Sequence, residues 1–172
     1  MKALLATTLL VLAAFGQLSA AESKSPTPGS PEFERMKSLV GSWKGKTDMG
    51  QGPMEITVEY RLVSGGSVLE EHIFAGTPKE MVTMYYDQKG KLGLTHYCML
   101  GNRPGMTLKS ANDKMLEFDF DPACGVNPQS EMHMHALTLT FEDPDTITQE
   151  WKLFEDGKLK HSQPFTLKRV KG

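Results

Sequence analysis

Residues 132–170 read MHMHALTLTFE, DPD, TITQEWKLF, EDG and KLKHSQPFTLKRV, three stretches of alternating apolar and polar side chains separated by two breaks built from Asp, Pro and Gly. Alternation with a period of two marks a half-buried strand, and breaks this short join antiparallel neighbours. The same rhythm runs back to Gly41, with Ser64-Gly65-Gly66, Gln88-Lys89-Gly90 and Ala111-Asn112-Asp113 as further short connections. It predicts ten strands, at 42–48, 54–63, 67–75, 80–87, 91–99, 105–111, 115–121, 132–142, 146–154 and 158–170. Sequential hairpins make an up-and-down sheet, and a sheet of this width removes its edges by closing. The expected fold is all-β, a roughly ten-stranded antiparallel up-and-down β-barrel with room inside for a ligand.

Helix signals precede the first strand. Ser30 is a candidate N-cap, Pro31 suits the first helical position, Glu32 and Glu34 sit in the first turn, and Gly41 ends the pattern. Phe33, Met36, Leu39 and Val40 fall on one face, so this short helix is expected to cap one end of the barrel. Further upstream, Lys2, an apolar run from Ala3 to Phe15 and small residues around Ser19 to Ala21 form the three-part layout of a secretory signal peptide. The run is too short to span a membrane, which takes roughly 20 apolar residues. The expected organisation is a signal peptide at 1–21, a flexible proline-broken linker at 22–30 and a single domain at 31–172, placing the mature protein in the periplasm or outside the cell.

Lys2 is the only charged residue among the first 21, so its removal takes a chain of 19 Lys and Arg against 21 Asp and Glu to a formal charge of −3. That balance argues against nucleic acid or an anionic membrane surface as partners. Cys98 and Cys124 are the only cysteines. A bridge between them is compatible with export, and so are two free thiols.

Gly41-Ser42-Trp43-Lys44-Gly45, directly after the helix, resembles the Gly-x-Trp opening of the calycin group, which includes lipocalins, fatty-acid-binding proteins and nitrobindins. The resemblance implies structural roles for Gly41, Trp43 and Gly45, with the Trp packed at the closed end. Glu80 to Tyr86, Leu94 to Cys98 and Gly101 to Pro104, together with His133-Met134-His135 and Gln149-Glu150-Trp151, resemble exported bacterial proteins grouped as a domain of unknown function. That likeness implies a calycin-like barrel and no activity. Nitrobindins bind haem through a histidine of the last strand, and His161 lies near the start of that strand here.

Alternation assigns faces to the histidines without any family. His96 and Cys98 are in phase with Leu92 and Leu94, His133 and His135 with Leu137, Leu139 and Phe141, and His161 and Gln163 with Phe165 and Leu167. All five histidines, His72 included, belong near one rim, because every second loop of a meander lies at the same end. One reading makes them ordinary rim residues. The other makes His96, Cys98, His133, His135, Trp151, His161 and Gln163 the polar and aromatic groups of a ligand site, with Leu116, Phe118, Phe120, Leu139, Phe141 and Phe165 supplying apolar contact.

The leading expectation is an exported carrier or sensor of a small apolar molecule. The alternative is a metal- or haem-binding barrel, with or without catalysis, in which His96, His133 and His135 would hold a metal. An enzyme is the less favoured class, and no catalytic residue is assigned. His96 and Cys98, two apart on a strand, stand about 7 Å apart at Cα, and neither a nucleophile elbow nor a phosphate-binding glycine loop is present. Ligand identity and oligomeric state are open at this level.

Overall fold

The computed structural model describes residues 29–48 and 52–171; the expected signal peptide and nearly all of the linker lie outside them. Ten strands form one closed antiparallel barrel in which each strand pairs with its neighbours in sequence and the first pairs with the last. They are β1 (Gly41–Asp48), β2 (Pro53–Val63), β3 (Val68–Ile73), β4 (Met81–Gln88), β5 (Lys91–Tyr97), β6 (Gly105–Ala111), β7 (Met115–Phe120), β8 (His133–Asp143), β9 (Thr146–Glu155) and β10 (Lys158–Arg169). The expected all-β barrel is thus observed, with small shifts at strand ends. β3 stops at Ile73 because Phe74 takes a positive φ of 58°. β5 stops at Tyr97 because the chain turns back through a Gly101 N–H to Cys98 carbonyl bond of 3.0 Å.

One short helix, α1 (Pro31–Met36), runs into a 3-10 turn at Lys37–Leu39. Ser30 caps it, its Oγ accepting from the Phe33 N–H at 3.1 Å while donating to Asp87 at 2.8 Å, so the cap also fastens the helix to the end of β4. Phe33, Met36 and Leu39 are buried against the barrel interior. Val40, expected on that face, points away and is exposed, because the chain is already turning into β1.

Trp43 is buried beneath this lid, its indole N–H donating to the Leu39 carbonyl at 2.8 Å. Arg169 stacks over the indole at 4.2 Å and donates to the Ser38 and Val40 carbonyls, closing the seam between first and last strands. Gly45 lies on the same seam opposite Leu167; a Cβ there would fall 2.2 Å from the Thr166 carbonyl oxygen, so only glycine permits this approach of β1 to β10. One end of the barrel is therefore plugged, and any interior space must open at the other.

Candidate functional site

The far end holds a cavity of about 400 Å³. It lies where β1, β3, β5 and β9 end and β2, β4, β8 and β10 begin. Its walls are mostly apolar, with Ile56, Ile73, Phe74, Met81, Met134, Trp151, Leu153 and Phe165 among them. Polar groups are few. His96 and Trp151 stand inside, while Asp48, Lys160 and His161 stand toward the mouth.

β5 carries His96 opposite Thr83 of β4, and the ring is buried, 1% exposed. Nδ1 lies 2.9 Å from the Thr83 hydroxyl, and the ring packs on Trp151 with centroids 4.6 Å apart. Nε2 has no hydrogen-bond partner although it is buried. Desolvation lowers the His96 pKa to about 4, so the imidazole is neutral at physiological pH.

Behind His96 lies a polar network that alternation could have revealed but that was not singled out from sequence. Glu71 is in phase with Leu69 and Ile73 on β3 and is completely buried. It accepts from the Tyr60 hydroxyl at 2.5 Å, the Tyr85 hydroxyl at 2.9 Å and the Gln149 amide at 2.5 Å. Burial pushes its carboxyl above the ordinary value, and the hydrogen bonds it accepts oppose that shift. Gln149 in turn accepts from the Trp151 indole N–H at 2.9 Å. The signal in the sequence is an acid and an amide each in step with apolar neighbours, a pattern tolerated only where partners exist.

The other expected site residues separate. His161 is opposite Leu153 and lines the mouth, exposed. Gln163 pairs with Trp151 in the ladder; its side chain lies outside the described residues. Cys98 packs at the edge of the core and does not line the cavity, and burial pushes its thiol up, away from thiolate. Both cysteines are free thiols. Of the expected apolar contacts, Trp151 and Phe165 line the cavity, whereas Leu116, Phe118 and Leu139 are packed core.

His133 and His135 depart from the expected face. A β-bulge at His135 shifts the register between Met134 and Ala136, so Met134 faces the cavity beside Leu153 while His135 stacks with Phe120 and Phe154 and His133 packs tilted against both. One extra residue in a strand reverses the phase of everything before it. His133 sits between the Glu131 carbonyl at 2.7 Å and His135 Nδ1 at 2.9 Å. His96, inside the barrel, therefore does not meet them, and among the described residues no three His, Cys, Asp or Glu side chains converge as a metal site requires. Haem asks less of the protein, one accessible imidazole in an apolar pocket. The exposed imidazole of His161 at the mouth fits that requirement, whereas His96 Nε2 is shut off inside.

His72 is outside the barrel, between Glu70 at 3.3 Å and Glu80, with Arg61 beside it. It forms a surface ion-pair cluster apart from the cavity.

No protein-family model matches the chain, and no curated protein sequence matches it. Among solved structures, the crystal structure of Rv2717c from M. tuberculosis aligns over 84% of this chain and 100% of that one, with a TM-score of 0.52 and 16% sequence identity. At that identity the likeness is one of fold: the chain is a closed ten-stranded antiparallel β-barrel that shares its architecture with Rv2717c.

Proposed function

We propose that this protein is an exported, calycin-like carrier or sensor of a small, largely apolar molecule held in the open end of the barrel. The observation that carries the reading is the cavity of about 400 Å³, apolar-walled and lined on one side by the neutral, buried imidazole of His96. Apolar walls supply the burial that drives uptake, and a few placed polar groups orient what is taken up. The Gly41-x-Trp43 opening, with Arg169 stacked on the indole at the plugged end, supports the calycin-like assignment. The layout of residues 1–21 supports export.

Binding is tested with the uncharged fluorophore N-phenyl-1-naphthylamine. The expected result is saturable fluorescence enhancement at one site per barrel, abolished by Leu153→Trp, which fills the cavity. Enhancement that survives the filling substitution would place the probe elsewhere and refute the reading.

A second reading is a haem-binding barrel, favoured by the exposed imidazole of His161 at the mouth of an apolar cavity. Haem would supply redox and gas-binding chemistry when bound. A Soret band on reconstitution, lost in His161→Ala, is its test.

A further inference from the structure

We propose that the cavity takes single-headed amphiphiles, whose hydrocarbon body lies inward against walls that present no strong hydrogen-bonding atom and whose one polar head stays at the mouth. The inference rests on the reading of this cavity as a small-molecule site and names the chemical class it takes.

Polarity along the cavity follows the strand ends. Thr47 and Asp48 are the last residues of β1, while Lys160 and His161 lie near the start of β10, so these polar side chains stand on the open side. Apart from them, the lining side chains are apolar except His96 and Trp151, and each of those two turns its polar atoms away from the space. The Trp151 indole N–H donates at 2.9 Å to Gln149, which precedes it on β9 toward the plugged end and is completely buried. Gln149 is held there by amide hydrogen bonds of 2.5 Å to Glu71 and to the Tyr60 hydroxyl. On His96, Nδ1 is paired with the buried Thr83 hydroxyl at 2.9 Å, and Nε2 is itself buried, out of a ligand's reach. Gln149, Glu71 and Thr83 do not line the cavity. A molecule inside therefore meets carbon, together with the Met81 and Met134 sulfurs, which are weak acceptors.

A hydroxyl carried into such a space gives up its hydrogen bonds to water and receives none in return, whereas the same hydroxyl at the mouth keeps them. The position of a ligand's polar group, not its presence, then decides affinity. By taking the indole N–H, Gln149 removes from the inner wall the one strong donor it would otherwise show. At the mouth the head meets water, the exposed imidazole of His161 and the ammonium of Lys160, which is paired with Glu155 at 2.8 Å. Molecules with a second polar group remote from the first are rejected, because one of the two must be buried unpaired.

The test displaces N-phenyl-1-naphthylamine from the purified protein with isomers that share a composition and differ in where the oxygen sits. The pairs are 1-decanol against 5-decanol and, to remove branching, methyl nonyl ether against dipentyl ether. The expected result is 1-decanol roughly tenfold tighter than 5-decanol, and the methyl ether roughly threefold tighter than the dipentyl ether. Ile56→Thr sets a hydroxyl on the inner wall and is expected to narrow the alcohol gap to about threefold or less. Ile73→Thr makes the same change from β3 and replaces it where Ile56→Thr fails to fold. Equal affinities within both pairs, a preference for the central oxygen, a gap confined to the branched alcohol, or a gap that neither threonine narrows would overturn the head-outward selectivity and leave the carrier reading standing. So would a bound fluorophore that none of the four displaces. Absence of any fluorophore binding would overturn both.

Discussion

At the scale of single residues, His96 and His135 divide the roles that periodicity assigned to them jointly. His96 lines the cavity, while His135 is stacked between Phe120 and Phe154 on the bulged strand. His96→Phe is accordingly expected to alter ligand selectivity, and His135→Ala to leave N-phenyl-1-naphthylamine affinity within about twofold of the parent protein, as read by fluorescence titration. The buried imidazole also sets an acid limb of stability. Its folded pKa, depressed by desolvation to about 4 from an ordinary 6.5, means that the unfolded chain binds the extra proton between those values. Stability is therefore complete above about pH 6.5 and declines as pH falls toward 4, by on the order of 3 kcal/mol. Urea midpoints measured from pH 7 to pH 4 are expected to drop in the parent and to flatten in His96→Phe. The presence of His96 on an aliphatic face was legible in the sequence. That its Nε2 is left without a partner was not, because that depends on what other strands bring against the ring, Thr83 from β4 and Trp151 from β9.

Elements were legible where alternation was uninterrupted. The hairpin rhythm places all ten strands, since each carries its own turn signals and apolar phase. What alternation cannot register is an extra residue. The irregularity between Met134 and Ala136 turns Met134 into the cavity, and another between Leu159 and His161 resets the start of β10. Neither has a glycine or proline to announce it. Gly45 shows the opposite case, a residue whose demand comes entirely from its partner strand. Gly45→Ala would drive a methyl into the Thr166 carbonyl, and a loss of about 1–3 kcal/mol is expected in chemical denaturation. An unchanged midpoint would show that β1 and β10 can part there without penalty.

Over the whole molecule the barrel is polarised. The plugged end is fastened by Ser30 to Asp87, by Arg35 to the Asn112 and Asp113 carbonyls, and by Arg169 to the carbonyls of Ser38 and Val40. The far end keeps its cavity. Arg169→Ala removes a stacked cation and several hydrogen bonds at once, and a loss of about 2 kcal/mol is expected, with far-UV circular dichroism and probe affinity retained. Loss of binding together with stability would mean that the two ends are coupled. By itself the sequence determined the strand count, the antiparallel order, the capping helix and the end at which the histidines gather, because turn chemistry and period-two patterning are local properties of the chain. Tertiary structure alone decided which histidine reaches the cavity and with what chemistry. Bulges set the facing of side chains across strands, and the Thr83 hydroxyl and Trp151 ring against His96, with the Glu71 network behind them, are brought together from β2, β3, β4 and β9 only when the barrel closes.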